Sequence, residues 1–443
     1  MTDAVAPDTL RPITHRRVLL VALPIVLSNA TVPLLGAVDT YAVGQRGRAE
    51  PIGAVALGAI ILTSVYWIFG FLRMGTAGMV AQAHGARNPA EVSALLTRAL
   101  VISLTAGGTF IAGQALLIHA ALGLAQGSAE VERLATEYLS VRIWGAPAAI
   151  AVYALTGWLV ALERTRGVFL LQFIMNGTNI VLSLWFVLGL GWGVPGVAAA
   201  TLIAELLGAA VGLWLCREAF ATPAWRDWPA VFNRARLMEF GSVNRDIMIR
   251  SVLLPLCFAT VTFQGTTLGD TTLAANQILI QFVYISAYAL DGFAFAAEAM
   301  VGGAMGARQP SQLRRAALVT SFWALLVTLG VTLVYVIFGP AIEREMTTAV
   351  DVQDAALRFM PWAILAPLIG VPAFMLDGIF IGATRARDMR NMMILSAIGF
   401  GLTLLLAVPA YGNHGLWFAL TIFFILRGIT LGLRYPALEA TAR

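Results

Sequence analysis

Two carboxylates, Asp39 and Glu205, stand inside long apolar runs, and Asn179, Ser183 and Thr201 stand in runs of the same kind. An acid inside a membrane span costs about 2.5–3.5 kcal/mol on insertion scales, so it has to be protonated, paired or wet. The chemistry open to it is reversible capture of a proton or a small cation. Asp39 lies near the far end of residues 23–44, LPIVLSNATVPLLGAVDTYAVG, which also hold Pro24 and Pro33. Each proline removes a helix donor and crowds the carbonyl four residues back, at Leu20 and Asn29. A bent, locally frayed helix beside a titratable group is what a moving part requires. Prolines are also tolerated in membrane helices without any such role, so the reading depends on what else lies at the same depth.

Gln172, Asn176, Asn179 and Ser183 recur at spacings of four, three and four, which puts them on one face of a helix. At a rise of about 1.5 Å per residue, Asp39 lies roughly 8 Å below the outer end of its span, and Asn179 and Ser183 lie roughly 15 and 9 Å deep. Thr201 and Glu205 come out roughly 10 and 16 Å deep, so these five can meet. Asn, Ser and Thr also serve as glue between membrane helices, which accounts for Gln172 and Asn176. It does not account for the two acids. No arginine of the first half is expected near enough to neutralise Asp39, which leaves Asp39 first and Glu205 second as proton acceptors.

These residues sit in a chain of 443 with 59% hydrophobic and 12% charged residues and a mean hydropathy of +0.81. A water-soluble core cannot hide that much apolar surface, and the expected class is an all-α polytopic membrane protein. All 29 basic residues are arginine, confined to loops and termini in the main, so the pI near 9.5 reports loop charge and not a nucleic-acid surface. Cys216 and Cys257 lie far apart in apolar surroundings, and His15, His84, His119 and His414 are scattered. They offer no disulfide framework, no zinc spacing and no catalytic pair, so neither a cofactor nor an enzyme is expected. Arg16 and Arg17 precede an apolar run without a small-residue cleavage site, which reads as a first span and not an export signal.

Apolar segments of spanning length predict twelve helices, near 17–44, 53–81, 92–118, 132–162, 167–190, 194–217, 240–268, 272–304, 313–338, 353–383, 390–410 and 415–435. Arginines fall in alternate loops, which puts those loops and both termini in the cytoplasm; Arg46 and Arg48 are the main exceptions. Residues 217–245 break the pattern at the midpoint. GARNP at 85–89 matches GARQP at 306–310, and LTGWLVALERTR from Leu155 matches LDGIFIGATRAR from Leu376, both at an offset of 221 residues. A constant offset over separated motifs marks an internal repeat. Residues 1–217 and 240–443 are therefore expected as two pseudo-symmetric six-helix lobes joined by a cytoplasmic linker at 218–239. An even number of spans per lobe makes the repeats parallel, with the substrate path between them.

The second half distributes its charges differently. Asp291 and Glu298, one heptad apart, share the cytoplasmic half of the membrane with Asp377 and Arg250, while Arg427 lies nearer the middle. Opposite signs at similar depth predict an ion-paired structural or gating network.

The motifs LPIVLSNATVPLLGAVDT, FLRMGTAGMVAQA, LDGFAFAAEAMVGGAMGAR and LDGIFIGATRARDMRN resemble the multidrug and toxic compound extrusion (MATE) family, in its DinF branch, and the likeness runs over essentially the whole chain. The resemblance implies a twelve-helix, two-lobe antiporter of the bacterial inner membrane that exports cationic or amphipathic compounds in exchange for H⁺ or Na⁺. It also implies a coupling site in the first lobe, where the family's aspartate, asparagine and threonine match Asp39, Asn179 and Thr201. The branch usually reads Asn-Ile-Val-Leu-Asp where this chain reads NIVLS, so Ser183 replaces an acid. The loss of that charge weakens a Na⁺ site and favours H⁺. The expected partners are a small organic substrate and membrane lipid, with no nucleic acid, and the expected state is a monomer. The runner-up reading is a flippase or exporter of a lipid-linked or lysolipid substrate, which would need cationic side chains such as Arg73 or Arg250 exposed to the path.

Overall fold

A computed structural model describes residues 11–45, 49–125 and 128–442; Arg46, Arg48 and Arg443 lie outside them. No strand occurs among the described residues. The first half contains α1 (His15–Asn29), α2 (Val32–Gly44), α3 (Ala49–Trp67), α4 (Gly70–Gly85), α5 (Pro89–Ala112), α6 (Gln114–Ala125), α7 (Ala129–Arg142), α8 (Ala146–Ala161), α9 (Thr165–Leu184) and α10 (Val194–Leu215). A single-turn helix, α11 (Trp228–Val231), lies in the linker. The second half is built of α12 (Arg234–Thr267), α13 (Asp270–Gly306), α14 (Pro310–Met346), α15 (Val350–Gly382), α16 (Ala386–Tyr411) and α17 (Asn413–Ala440).

Eleven helices among the described residues are long and apolar enough to cross a membrane. The expected first span, 17–44, is not one helix: α1 ends at Asn29, residues 30 and 31 turn, and α2 begins at Val32. Pro33 stands in the first turn of α2, where a missing N–H costs no hydrogen bond. The Thr31 hydroxyl donates to the Ser28 carbonyl over 2.7 Å at the break. Other spans of the first half are interrupted too, at Gly113 and by a 3₁₀ turn at Ile143–Gly145, whereas each helix of the second half runs through.

The repeat is written in the backbone. Among the described residues, the non-glycine residues with left-handed backbone are Arg87 and Arg308, at φ 56° and 54°, and Glu163 and Thr384, at φ 57° and 54°. Each pair is 221 residues apart, so both halves turn out of the corresponding helices by the same strained residue. Close approach is repeated as well. A Cβ on Gly157 would meet the Arg73 carbonyl oxygen at 2.4 Å, and one on the equivalent Gly378 would meet that of Ala294 at 2.5 Å. The following helices start alike, with Pro89 and Pro310 in the first turn; Asn88 caps α5 by accepting from the Glu91 N–H at 3.0 Å, and Gln309 makes no such side-chain bond.

The chain divides into two compact units. One comprises residues 27–80 and 88–240, here the N-terminal unit; the other comprises residues 1–26, 81–87 and 241–443, here the C-terminal unit. In the N-terminal unit the linker is held by Arg98 of α5, which is 2% exposed. Its guanidinium donates to the carbonyls of Val231 and Ala230 at 2.8 and 2.9 Å, satisfying the end of α11. In the C-terminal unit, Gly85 and Gly306 are packed reciprocally: a Cβ on the first would lie 2.1 Å from the Gly303 oxygen, and one on the second 2.0 Å from the Gln82 oxygen.

Candidate functional site

Within the N-terminal unit, α2, α7, α9 and α10 bring the predicted polar residues together. Ser183 of α9 donates its hydroxyl to Asp39 Oδ1 of α2 at 2.8 Å. One helical turn earlier, Asn179 Nδ2 donates to the Thr201 hydroxyl of α10 at 2.9 Å, and the Thr201 hydroxyl in turn donates to the Val197 carbonyl at 3.0 Å. Asn179 Oδ1 is buried without a hydrogen-bond partner, which leaves an acceptor free in the same layer. A turn earlier still on α9, Asn176 Nδ2 donates to the Thr31 hydroxyl at 2.7 Å. The face of α9 predicted from spacing thus grips the first span twice, at the helix break and at the acid. Asn176, assigned from sequence to helix glue, ties down the break itself.

Glu205 is where the expectation fails. It is not an available acceptor: Arg142, the last residue of α7, donates from Nη2 to Glu205 Oε1 at 2.9 Å, with side-chain exposures of 11% and 10%. The same guanidinium donates from Nη1 to the Tyr138 hydroxyl at 3.0 Å and lies within electrostatic reach of Asp39. So an arginine of the first half does approach the acid. The missed signal was depth: ten residues into its span, Arg142 lies roughly 15 Å deep, level with Glu205. Space for the pair comes from Gly145, where any Cβ would come within 2.3 Å of Glu205 Oε2.

Of the residues proposed for a charge network in the second half, Arg250, Asp377 and Arg427 meet. Both guanidiniums donate to Asp377 Oδ2, from α12 and α17 onto α15. Arg427 is 1% exposed and is surrounded by the Phe374, Phe423 and Phe424 rings, with centroids 5.6, 5.5 and 5.8 Å away. Glu298 is buried on α13 and Asp291 half-buried on the same helix, two turns before it. Pro24 lies inside α1, in the stretch that belongs to the C-terminal unit. Among the described residues no group of three or more His, Cys, Asp or Glu is placed to hold a metal ion.

The arrangement can bind and release a proton or cation at Asp39, beside the buried Arg142–Glu205 pair. One family model, MatE, matches the chain twice, at residues 24–185 and 247–408, one match in each half. The chain is 41% identical over 419 residues to DNA damage-inducible protein F of Escherichia coli (strain K12), covering 93% of this chain and 89% of the relative. It is 27% identical over 447 residues to a probable multidrug resistance protein NorM of Xanthomonas campestris pv. campestris, covering 94% and 92%. A solved structure described as the outward-facing conformation of a multidrug resistance MATE family transporter of the MOP superfamily superposes with a TM-score of 0.86 at 20% identity, over 96% of this chain and 97% of that one. That last likeness is one of fold.

Proposed function

The chain belongs to the MatE family of multi-pass membrane transporters, and from that premise we propose that it exports small cationic or amphipathic organic compounds across a bacterial inner membrane in exchange for protons, with Asp39 as the obligatory carrier. Members of this family are transporters and not enzymes, and the chain is read accordingly. The observation that carries the proton assignment is the geometry at Asp39: an acid on α2, beyond the break at residues 30 and 31 in the first span, held by one hydroxyl and flanked by a charge-neutral Arg142–Glu205 pair.

A charged Asp39 can face an organic cation; a protonated one has no charge with which to hold it. The two ligands therefore exclude each other, and that exclusion is a coupling free energy between proton and substrate. Protonation also turns a carboxylate oxygen from acceptor into donor, which changes what α9 can offer it. Because α9 holds both Asp39 and the helix break, a change at one is felt at the other. A Na⁺ ion is better served by several oxygens with net negative charge. Here one carboxylate, one serine hydroxyl and a nearby guanidinium meet, which favours H⁺. Arg250, 5% exposed and committed to Asp377, gives no support to a substrate with a phosphate head group.

The test is efflux of fluorescent organic cations from vesicles holding the protein, with pH and Na⁺ gradients imposed separately. Efflux that follows the pH gradient and ignores Na⁺ supports the assignment. Efflux that requires Na⁺ at fixed pH overturns it.

A further inference from the structure

Within the C-terminal unit the repeat makes a contact that maps onto itself. A Cβ on Gly85, at the end of α4, would lie 2.1 Å from the Gly303 carbonyl oxygen of α13, and one on Gly306, at the end of α13, would lie 2.0 Å from the Gln82 carbonyl oxygen of α4. Gly85 and Gly306 are equivalent at the offset of 221 residues, and so are Gln82 and Gly303. The two helix tips therefore touch backbone to backbone, each presenting to the other the position it receives, and glycine is what permits that approach. The side chains break the symmetry. Gln82 Nε2 donates to the Gly382 carbonyl and to the Thr384 hydroxyl, both at 3.0 Å, whereas the equivalent position 303 is glycine and has nothing to donate. Gly382 is the last residue of α15, so its carbonyl has no partner within the helix, and Thr384 is the left-handed residue at which the chain turns away. Gln82 thus caps the end of α15 from another helix, on one side of the repeat only.

The start of α4 belongs to the N-terminal unit, while residues 81–87 belong to the C-terminal unit with α13 and α15. Arg87 and Arg308 stand beside this seam, and the positive-inside rule puts it at the cytoplasmic end of the spans. We propose that the tip of α4 is a latch on the cytoplasmic end of the transport path, that Gln82 is the positioning residue that fastens it to the end of α15, and that the latch parts each time the path opens to the cytoplasm. A transporter of two parallel repeats alternates its access by rocking one repeat against the other, so a contact between equivalent helix tips at one end of the membrane has to open once per cycle. The seam is built to separate. Its glycines meet without interdigitating side chains, and the two Gln82 bonds end on a helix-terminal carbonyl and a hydroxyl, groups that water satisfies when the tip leaves. The inference goes beyond the assignment of Asp39, because the latch works alike whichever ion drives efflux.

The test is a reversible lock. Gln82→Cys and Thr384→Cys are combined in a protein whose own buried, free cysteines, Cys216 and Cys257, are replaced by alanine, and the two introduced thiols are joined by bis-methanethiosulfonate reagents of graded length. Ethidium efflux from proteoliposomes should fall at least tenfold from its unlinked rate on linking and return to within twofold of that rate on reduction with dithiothreitol, while the linked protein in detergent still binds ethidium. Efflux above half the unlinked rate in a fully linked sample would show a fixed joint and overturn the proposal. So would failure of every reagent to join two positions whose native side chains touch. Gln82→Leu, which keeps the volume and removes the donor, should slow efflux about threefold with an unmoved pH profile; efflux at the unmodified rate overturns the role of Gln82. Where the cysteine variants do not fold, two single glycine variants carry the test. Gly306→Ala drives a methyl into the Gln82 carbonyl and should lose efflux tenfold while still binding ethidium, whereas Gly303→Ala, whose methyl meets nothing within 4 Å, should stay within twofold of the unmodified protein. Equal efflux in the two overturns the latch. Efflux by the unmodified protein, measured alongside, keeps a failed transport reading apart from a failed latch.

Discussion

Ser183 donates its hydroxyl hydrogen to Asp39 Oδ1 across 2.8 Å, and through that bond α9 holds the acid-bearing half of the broken first span. A hydrogen bond to a charged group contributes about 1.5–3 kcal/mol. It favours the ionised acid, so its removal should ease proton uptake. Ser183→Ala is therefore expected to move the pH of half-maximal efflux to the alkaline side by about one unit or more, with the protein still folded. A titration of ethidium efflux against pH checks this.

Ser183→Asp should act in another way. It places a second carboxylate beside the first, without a second guanidinium, and creates the oxygen-rich, negatively charged set that Na⁺ prefers. The expected outcome is efflux stimulated by an imposed Na⁺ gradient where the unmodified protein shows none. Fluorescent-cation efflux at fixed pH with and without that gradient measures it.

The bond from Asn176 to Thr31 fixes the break in the first span at 2.7 Å. Asn176→Leu removes the donor and leaves Asp39 untouched. Its expected effect is a several-fold change in maximal rate with an unmoved pH profile, since the tie affects motion and not titration. Comparing rate and profile in one set of traces separates the two.

Asp377 accepts from both Arg250 and Arg427 in the C-terminal unit, where all three are buried. Asp377→Asn leaves two guanidiniums without their carboxylate, a loss of about 3–5 kcal/mol by comparison with other broken buried pairs. Melting in detergent, followed by tryptophan fluorescence, should show a markedly lower midpoint. The fraction that folds should keep its dependence on the pH gradient.

The spans and the repeat were legible because both are written in local terms: apolar length gives the helices, and the motifs at Gly85 and Gly306 share an offset with the turns at Arg87 and Arg308. Pro33 marked the break, since in a continuous helix a proline at 33 would crowd the carbonyl four residues back, and α1 ends at Asn29. The polar face of α9 was legible from spacing, and Asn179, Ser183 and Thr201 make bonds that depth alone made possible. Arg142 was not read, although its depth matches that of Glu205. A lone arginine ends α7 beside a 3₁₀ turn, and which helix it faces depends on the bend at Ile143–Gly145, which no periodicity records. The pairing of Arg250 and Arg427 with Asp377 was legible from opposite charges at similar depth, and the structure brings both guanidiniums onto that one carboxylate.

Asp39→Asn has nearly the same size as the native acid, fixes its neutral form and leaves the Arg142–Glu205 pair in place. The decisive measurement is ethidium efflux from proteoliposomes holding this variant, correctly inserted, under an imposed pH gradient. Efflux reduced to that of protein-free liposomes, with melting temperature unchanged, is the expected result; proton-driven efflux at a rate near that of the unmodified protein would contradict the assignment of Asp39 as the carrier.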